Sequence, residues 1–178
     1  MAEAASMMAN VDYDMELISG IYEIMPNRFG AGIIQNNFDL LGEIKYTDSE
    51  IEYANTILKE TGKELKGLDG TIKPLRPTLP ATGGSTDVGD VSQVVPVVRL
   101  RTTTAAKDGP WHSWAVVACT GMSIGHKGMI YASKALAMTM LDLYKNPKLI
   151  EGVKEEFIER KGDKVYVPQI PPGPPKLV

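Results

Sequence analysis

A glycine-flanked acidic loop, followed by an apolar run and a histidine, is the feature that most limits how this chain can fold. The loop is Gly83-Gly84-Ser85-Thr86-Asp87-Val88-Gly89-Asp90-Val91-Ser92, the run covers 94–104, and the histidine lies in Trp111-His112-Ser113-Trp114. β-Branched residues dominate the run, which is typical of a strand. Glycines allow the loop backbone to approach a ligand closely. The pattern predicts a strand between two candidate site segments.

The supply of metal ligands is small. The chain has two histidines, His112 and His126, and one cysteine, Cys119. Catalytic zinc usually takes three protein ligands, and a two-metal site takes more. No HExxH, CxxC or HxH motif occurs, and no group of carboxylates has a ligand-like spacing. We therefore expect the chain to bind no metal by itself.

Composition excludes several classes of protein. The 178 residues suit one domain with a modest core, and a formal charge of -3 gives no basic surface for nucleic acid. No apolar run approaches the roughly 20 residues that span a bilayer, which argues against a membrane partner. The N-terminus lacks the basic and apolar regions of a signal peptide. A single cysteine cannot form an internal disulfide, so we predict a cytoplasmic protein.

Helical periodicity recurs along the chain. Thr47-Asp48-Ser49-Glu50 fits a capping box, and Asn146-Pro147 fits an N-cap followed by a proline at the first helical position. Met129, Ala132, Leu136, Met140 and Leu143 form one stripe, which we interpret as core. The predicted helices cover 2–9, 33–41, 48–60, 123 to about 144, and 147 to Gly162.

Three segments have the pattern of strands. Residues 12–18 alternate polar and apolar, residues 94–104 are β-branched, and 116–120 form a short apolar run. Residues 61–83 are predicted as a long loop, and the proline-rich tail from Pro168 as extended chain. These elements predict an α/β fold, with α+β as the alternative, in which helices flank a mixed sheet.

The order of these parts resembles the C-terminal portion of the zinc exopeptidase and amidohydrolase family, and within it the group formed by the B subunits of p-aminobenzoyl-glutamate hydrolases. The resemblance depends on the loop 84–92, on His112-Ser113-Trp114 and on His126-Lys127-Gly128-Met129. It covers essentially the whole chain and implies a partial catalytic domain of the zinc-exopeptidase-like fold. Residues 1–20 would end a lid or dimerisation domain, 21–167 would be the C-terminal half of the catalytic domain, and 168–178 would be the tail.

The resemblance implies metal-dependent hydrolysis of an amide such as p-aminobenzoyl-glutamate, with release of an amino acid and with zinc or manganese in the complete enzyme. His112 corresponds to the family's last metal ligand. The residues implied in substrate binding are Gly84, Ser85, Thr86, Asp87, Asn27 and His126. The family's other ligands and its general base have no counterpart here, so no catalytic residue is expected in this chain, which would be inactive alone.

Other interpretations stay open. His112 fits a loop histidine hydrogen-bonded between two tryptophans, Asp87 fits an Asx-turn or helix cap, and Asn27 fits a turn. Glu155-Glu156 is rejected as a catalytic pair because it falls on the predicted solvated face of the last helix. The chain also fits a non-catalytic interaction protein derived from such an enzyme, forming homo-oligomers or pairing with a complementary or related subunit. An unrelated α/β binding domain is a third alternative.

Overall fold

The computed structural model describes residues 1–76, 84–170 and 172–174, and the regular structure in these ranges is helical. The helices are α1 (Ala2–Ala9), α2 (Arg28–Leu41), α3 (Asp48–Glu60), α4 (Val88–Val94), α5 (Trp114–Thr120), α6 (Ser123–Lys145) and α7 (Pro147–Lys161). No strand occurs within the described ranges. The predictions of an α/β fold, of its α+β alternative, of a mixed sheet and of a zinc-exopeptidase-like fold are therefore wrong.

The helices that sequence signals predicted are present. At the start of α3, the Thr47 hydroxyl accepts the N–H of Glu50, and the Glu50 carboxylate accepts the N–H of Thr47, as the capping box requires. The side chain of Asn146 accepts the N–H of Lys148 at the start of α7. Helix α2 begins at Arg28, five residues before the predicted start at Ile33, because Asn27 caps it with its side chain.

Helix α5 replaces the strand that was predicted at 116–120. Ala115 and Cys119, four residues apart, are buried, while Val117 is 71% exposed. That spacing is the period of a helix with one buried face. Periodicity cannot distinguish a strand from a buried helical turn in so short an apolar run. Packing of α5 against α3 and α6 therefore decides its conformation.

The other two predicted strands are wrong for a different reason. Residues 12–18 and 95–104 form neither helix nor strand, and Val94 belongs to α4. A strand is defined by hydrogen bonds to a neighbouring strand, and the described part of the chain offers none to either segment. Residues 12–18 are exposed. The second segment lies against helices instead, with Val98 next to Gly30 of α2.

The buried residues connect five helices. Ala54, Ile57 and Leu58 of α3 form one cluster with α5 residues, Ala106 and Ile124. Helices α2, α6 and α7 pack against one another, and their buried residues include Ile33, Ile34, Ala135 and Val153. Since α6 packs against α2, α5 and α7, it connects both parts of the core.

Helix α6 buries a face other than the predicted one. Its buried residues are Ile124, Gly125, Gly128, Ala135 and Thr139, so the contact face includes small residues that allow close approach. Met129, Leu136 and Met140 of the predicted core stripe are 56%, 45% and 56% exposed. A helix with two apolar faces leaves the choice to its neighbours, and hydrophobicity selected the wrong face.

The described part of the predicted loop, 61–76, is irregular, and ion pairs and hydrogen bonds of Asp69 stabilise it. The Asp69 carboxylate lies 3.0 Å from Lys73 Nζ and 3.1 Å from Lys107 Nζ. Hydrogen bonds from Thr71 and from these lysines lower the pKa of Asp69 well below its usual range. The remainder of the predicted loop, 77–83, lies outside the described residues.

The predicted tail has no helix or strand at 168–170 and 172–174, while residues 171 and 175–178 lie outside the described ranges. Just before it, the Tyr166 hydroxyl donates to Asp90 at 3.0 Å, and the Tyr22 hydroxyl donates to the carbonyl of Val167 at 3.0 Å. Residues 166–167 are thereby held against the segment that precedes α2 and against α4.

Candidate functional site

The candidate loop leads directly into the short helix α4. Gly84, Ser85 and Asp87 are exposed, and Thr86 is half-buried. The N–H of Val88 donates to the Thr86 hydroxyl at 3.3 Å, while the Asp87 side chain accepts no hydrogen bond from the first turn of the helix. The Asp87 carboxylate receives a long bond of 3.4 Å from the Thr86 hydroxyl. The expected capping role of Asp87 is therefore taken by Thr86, and the exposed carboxylate faces solvent.

His112 lies in the turn that precedes α5 and has a left-handed backbone, with φ of 58°. This conformation costs most non-glycine residues roughly 1–2 kcal/mol. The imidazole is exposed and makes no hydrogen bond to any residue in the described ranges. Its tryptophan neighbours Trp111 and Trp114 are 72% and 55% exposed, so they do not enclose it. The turn thus presents a strained histidine to the outside.

His126 lies in the first turns of α6 and is also exposed. Its backbone N–H donates to the carbonyl of Met122 at 2.9 Å. Helix packing at this end of α6 uses the neighbouring Ile124 and Gly128, which are buried. The His126 side chain consequently has no packing role comparable to theirs.

Asn27 is buried, and both ends of its amide are bonded within the chain. Its Oδ1 accepts the N–H of Gly30 at 2.8 Å, and its Nδ2 donates to the carbonyl of Val153 in α7 at 2.8 Å. Glu156 of α7 completes this end of α2 by accepting the N–H of Phe29 at 2.6 Å. These contacts tie α2 to α7, which is a structural use of Asn27.

Glu156 therefore differs from the solvated residue that the sequence predicted. Burial by itself raises the pKa of Glu156, but hydrogen bonds from the N–H groups of Phe29 and Arg28 and from Arg160 lower it overall. A carboxylate at a helix N-terminus is favoured by the helix dipole and by the unpaired N–H groups there. Its rejection as a catalytic residue is consistent with this role.

Sequence reasoning missed a connected group of polar side chains, which we call the α3–α6 charge cluster: Tyr46, Thr47, Glu50, Ser123 and Lys127. Glu50 is buried, with 7% of the residue exposed. It accepts hydrogen bonds from Lys127 Nζ at 2.6 Å, from the Ser123 hydroxyl at 2.6 Å and from the N–H of Thr47 at 2.7 Å. Lys127 Nζ also lies 5.6 Å from the centre of the Tyr46 ring.

The electrostatics of the charge cluster follow from these contacts. Burial raises the pKa of Glu50, but hydrogen bonds from Lys127, Ser123 and Thr47 outweigh it and bring the pKa to about 2. Burial and the nearby Glu50 charge raise the pKa of Tyr46 to about 12. Glu50 is therefore a fully ionised acceptor at neutral pH. With its oxygens already bonded, it holds helices together and is not a general base.

The sequence predicted one part of this cluster, the contact between Thr47 and Glu50. The capping box placed Glu50 beside Thr47, but it predicted a surface carboxylate at a helix end. Lys127 and Ser123 are more than 70 residues away in the chain, and the four-residue spacing between them indicates only that they share a helix face. No local pattern identifies that face as the one that meets α3.

The described residues do not fit a metal ion. Nowhere in 1–76, 84–170 and 172–174 do three side chains of His, Cys, Asp or Glu meet in a group that could hold one. The candidate residues are on separate elements: Asp87 precedes α4, His112 precedes α5 and His126 is in α6. A single imidazole is fewer than the three protein ligands that catalytic zinc usually takes.

The helices of the described ranges do not include one that could cross a bilayer. Even α6, with 23 residues, lacks the combination of length and hydropathy that a membrane-spanning helix requires.

Comparison with known proteins gives one informative similarity. The chain is 25% identical over 195 aligned residues to the B subunit of p-aminobenzoyl-glutamate hydrolase from Escherichia coli (strain K12). The aligned region covers 96% of this chain and 40% of that protein. No protein-family model matches the chain, and no solved structure matches it. The chain is thus similar, along nearly its whole length, to part of a hydrolase subunit.

Proposed function

We propose that this chain is part of an amide hydrolase that cleaves an amide such as p-aminobenzoyl-glutamate and releases an amino acid. The observation that carries the proposal is the similarity of 96% of this chain to 40% of the p-aminobenzoyl-glutamate hydrolase subunit described above. In the reaction, water adds across the amide bond, with its hydroxyl on the acyl carbon and its proton on the departing amine. This chain contributes part of the site for that reaction.

Within this proposal, His112 is the residue that the chain supplies to a divalent metal. Its exposed imidazole lacks hydrogen bonds to the described residues, and its left-handed backbone is of the strained kind that often occurs at functional positions. Because the described residues alone do not fit a zinc or manganese ion, further ligands have to come from another polypeptide segment.

Substrate contacts are proposed for the exposed loop and for His126. The Ser85 and Thr86 hydroxyls, the backbone N–H of Gly84 and the His126 imidazole can all donate to a substrate carboxylate. Asp87 can accept from a substrate amine. Asn27 is supported least among the predicted residues, since both ends of its amide hold α2 and α7.

The domain boundaries are part of the same proposal. Residues 1–20 would belong to a lid or dimerisation domain, 21–167 to the hydrolase domain, and 168–178 to an extended tail. Helix α1 has no buried residue, which supports a separate affiliation for the first segment.

A second function has its own supporting observation. The exposed Met129, Leu136 and Met140 of α6 offer a surface for association. A non-catalytic interaction protein, derived from a hydrolase and pairing with itself or a related subunit, would use such a surface without any chemistry.

The test measures release of p-aminobenzoate from p-aminobenzoyl-glutamate in the presence of zinc or manganese. The chain is assayed alone and with the separately expressed, unmatched part of the E. coli relative. We expect activity only in the mixture, and at least a hundredfold loss in His112→Ala. Lys154→Ala, a change at an exposed α7 position, is the control and should keep full activity. A complex without hydrolysis would favour the interaction protein, and hydrolysis by the chain alone would contradict the partial site.

A further inference from the structure

Helix α6 has a second apolar face that nothing in the described structure covers. Its contact face includes Ile124, Gly128, Ala135 and Thr139, all of which are buried. The residues of the other face are between 45% and 79% exposed: Met129, Ile130, Leu136, Met140, Leu141 and Tyr144. We call these six residues the open face of α6.

The open face is continuous and carries no charge. At about 100° per residue, its six residues fall within an arc of roughly 140°. Within α6, Ser123, His126, Ser133 and Ala137 share that arc, so no charged side chain interrupts it, and Lys134 lies just beyond its edge. A helix that is apolar on both faces is typically buried on both. An uncharged centre with a polar rim is also the composition of a protein interface.

We propose that the open face of α6 is the surface on which the missing part of the hydrolase packs. The occupant is polypeptide corresponding to the portion of the E. coli hydrolase subunit outside the matched region, joined to this chain or supplied as a separate subunit. This inference depends on the proposed function, and it identifies the partner and its contact surface.

Two observations favour this occupant over a second copy of the chain. The matched region is 40% of the relative, so the remaining 60% of that protein has no counterpart here. Residues 12–18 are exposed as well, and they include the apolar side chains of Met15, Leu17 and Ile18. An absent segment that packs on this chain accounts for both this stretch and the uncovered helix, because domains are built from layers that bury each other's apolar faces.

The position of His126 connects the open face to the candidate site. His126 lies within the same arc, about one turn before Met129 and Ile130. A partner that covers the open face therefore comes close to His126.

The experiment measures binding, independently of activity. The unmatched part of the E. coli relative is titrated against the full chain by analytical ultracentrifugation. We expect a one-to-one complex, with affinity at least tenfold weaker for Met140→Glu. Ile158→Glu is the matched control, since it places the same charge at an apolar position of α7 that is 66% exposed, and it should bind like the original chain. Circular dichroism verifies that both variants keep their helices.

Methionine oxidation of the unmodified chain gives a second measurement that needs no variant. Met129 and Met140, each 56% exposed, should oxidise several-fold more slowly in the complex, whereas Met8 of α1, 90% exposed, should keep its rate.

Three results would overturn the proposal: no complex, equal affinity of Met140→Glu and Ile158→Glu, or undiminished oxidation of Met129 and Met140. A homodimer that Met140→Glu dissociates would assign the face to a second copy. The proposed function fails separately, when a complex forms through this face without hydrolysing p-aminobenzoyl-glutamate.

Discussion

The α3–α6 charge cluster and the candidate site segments use polar side chains in opposite ways. In the cluster, the buried carboxylate of Glu50 receives bonds from Lys127, Ser123 and Thr47. In the candidate segments, His112 and Asp87 are exposed, and His112 has no hydrogen bond to the described residues. The difference is informative because groups with every bond satisfied hold a fold, whereas groups without bonds are available to a ligand or a partner.

The comparison also explains why shifted pKa values do not identify the site here. Perturbed groups often mark active sites, but structural ion pairs perturb pKa values as well. Glu50, with a pKa of about 2, belongs to the second kind. Among the buried side chains of the described residues, no polar nitrogen or oxygen is left without a hydrogen bond. In the described interior, the buried side-chain nitrogens and oxygens are therefore all used in hydrogen bonds that hold the fold.

The largest expected effect on stability comes from removing the Glu50 carboxylate, the hydrogen-bond acceptor at the centre of the charge cluster. Glu50→Ala leaves Lys127 and Ser123 without their carboxylate, and we expect the free energy of unfolding to fall by about 3 kcal/mol. Urea unfolding measures the change. Glu52→Ala, at an exposed position of the same helix, should change stability by no more than about 0.5 kcal/mol. Equal effects of the two substitutions would show that the cluster does not stabilise the fold.

The second prediction concerns the loss of stability at acid pH. The pKa of Glu50 is lowered from 4.5 to about 2 in the folded chain, so its contribution is complete above about 4.5. As the pH falls from 4.5 to 2, the unfolded chain takes up a proton at Glu50 before the folded chain does, and stability is lost in this window. Stability measured against pH should therefore decline less steeply in Glu50→Gln. Parallel curves for the two proteins would contradict the assignment.

Asn27→Ala should reduce stability by an intermediate amount. The same variant tests Asn27 as a substrate contact, the least supported of those proposed. It removes the cap of α2 and the bond to Val153, which together predict a loss of about 2 kcal/mol in unfolding free energy. Thermal unfolding measures it, and Asn36→Ala, an exposed position of α2, is the control. An unchanged stability, with weakened substrate binding in the complemented enzyme, would restore Asn27 to the site.

The smallest effect on stability is expected at His112. Substitution there should abolish function while changing the free energy of unfolding little. Because φ is 58°, His112→Gly should be more stable than His112→Ala by about 1 kcal/mol. Both variants should lose zinc binding and hydrolysis in the complemented assembly. Calorimetry with zinc and thermal unfolding measure the two properties. Loss of stability in both variants without loss of metal binding would make His112 a structural residue.

Local signals predicted the helices better than the fold. The capping box before α3 and the Asn146-Pro147 start of α7 depend on residues within a few positions, so the sequence was sufficient. The segments 12–18 and 95–104 needed a distant strand partner, which no local pattern could supply. The run at 116–120 was ambiguous between strand and helix, and contact with α3 and α6 decided it.

For the candidate site, the sequence indicated which residues have suitable chemistry, and the structure indicated which of them are exposed to a ligand. The exposure of His112, Asp87 and His126 agrees with their selection as candidates, while their role in binding or metal ligation stays a prediction. Asn27 illustrates the opposite case, because its bond to Val153 joins residues that are far apart in the chain. The distant partners of Glu50, Ser123 and Lys127, could not be predicted for the same reason.

The helices α3, α6 and α7, the caps of α3 and α7 and the shortage of metal ligands follow from the amino-acid sequence, since each depends on neighbouring residues or on composition. Tertiary packing alone decided that α6 buries Ala135 and Thr139 and leaves Met129 and Met140 exposed. The physical reason is that small residues let helices approach closely, and the resulting contacts outweigh the greater hydrophobicity of the opposite face.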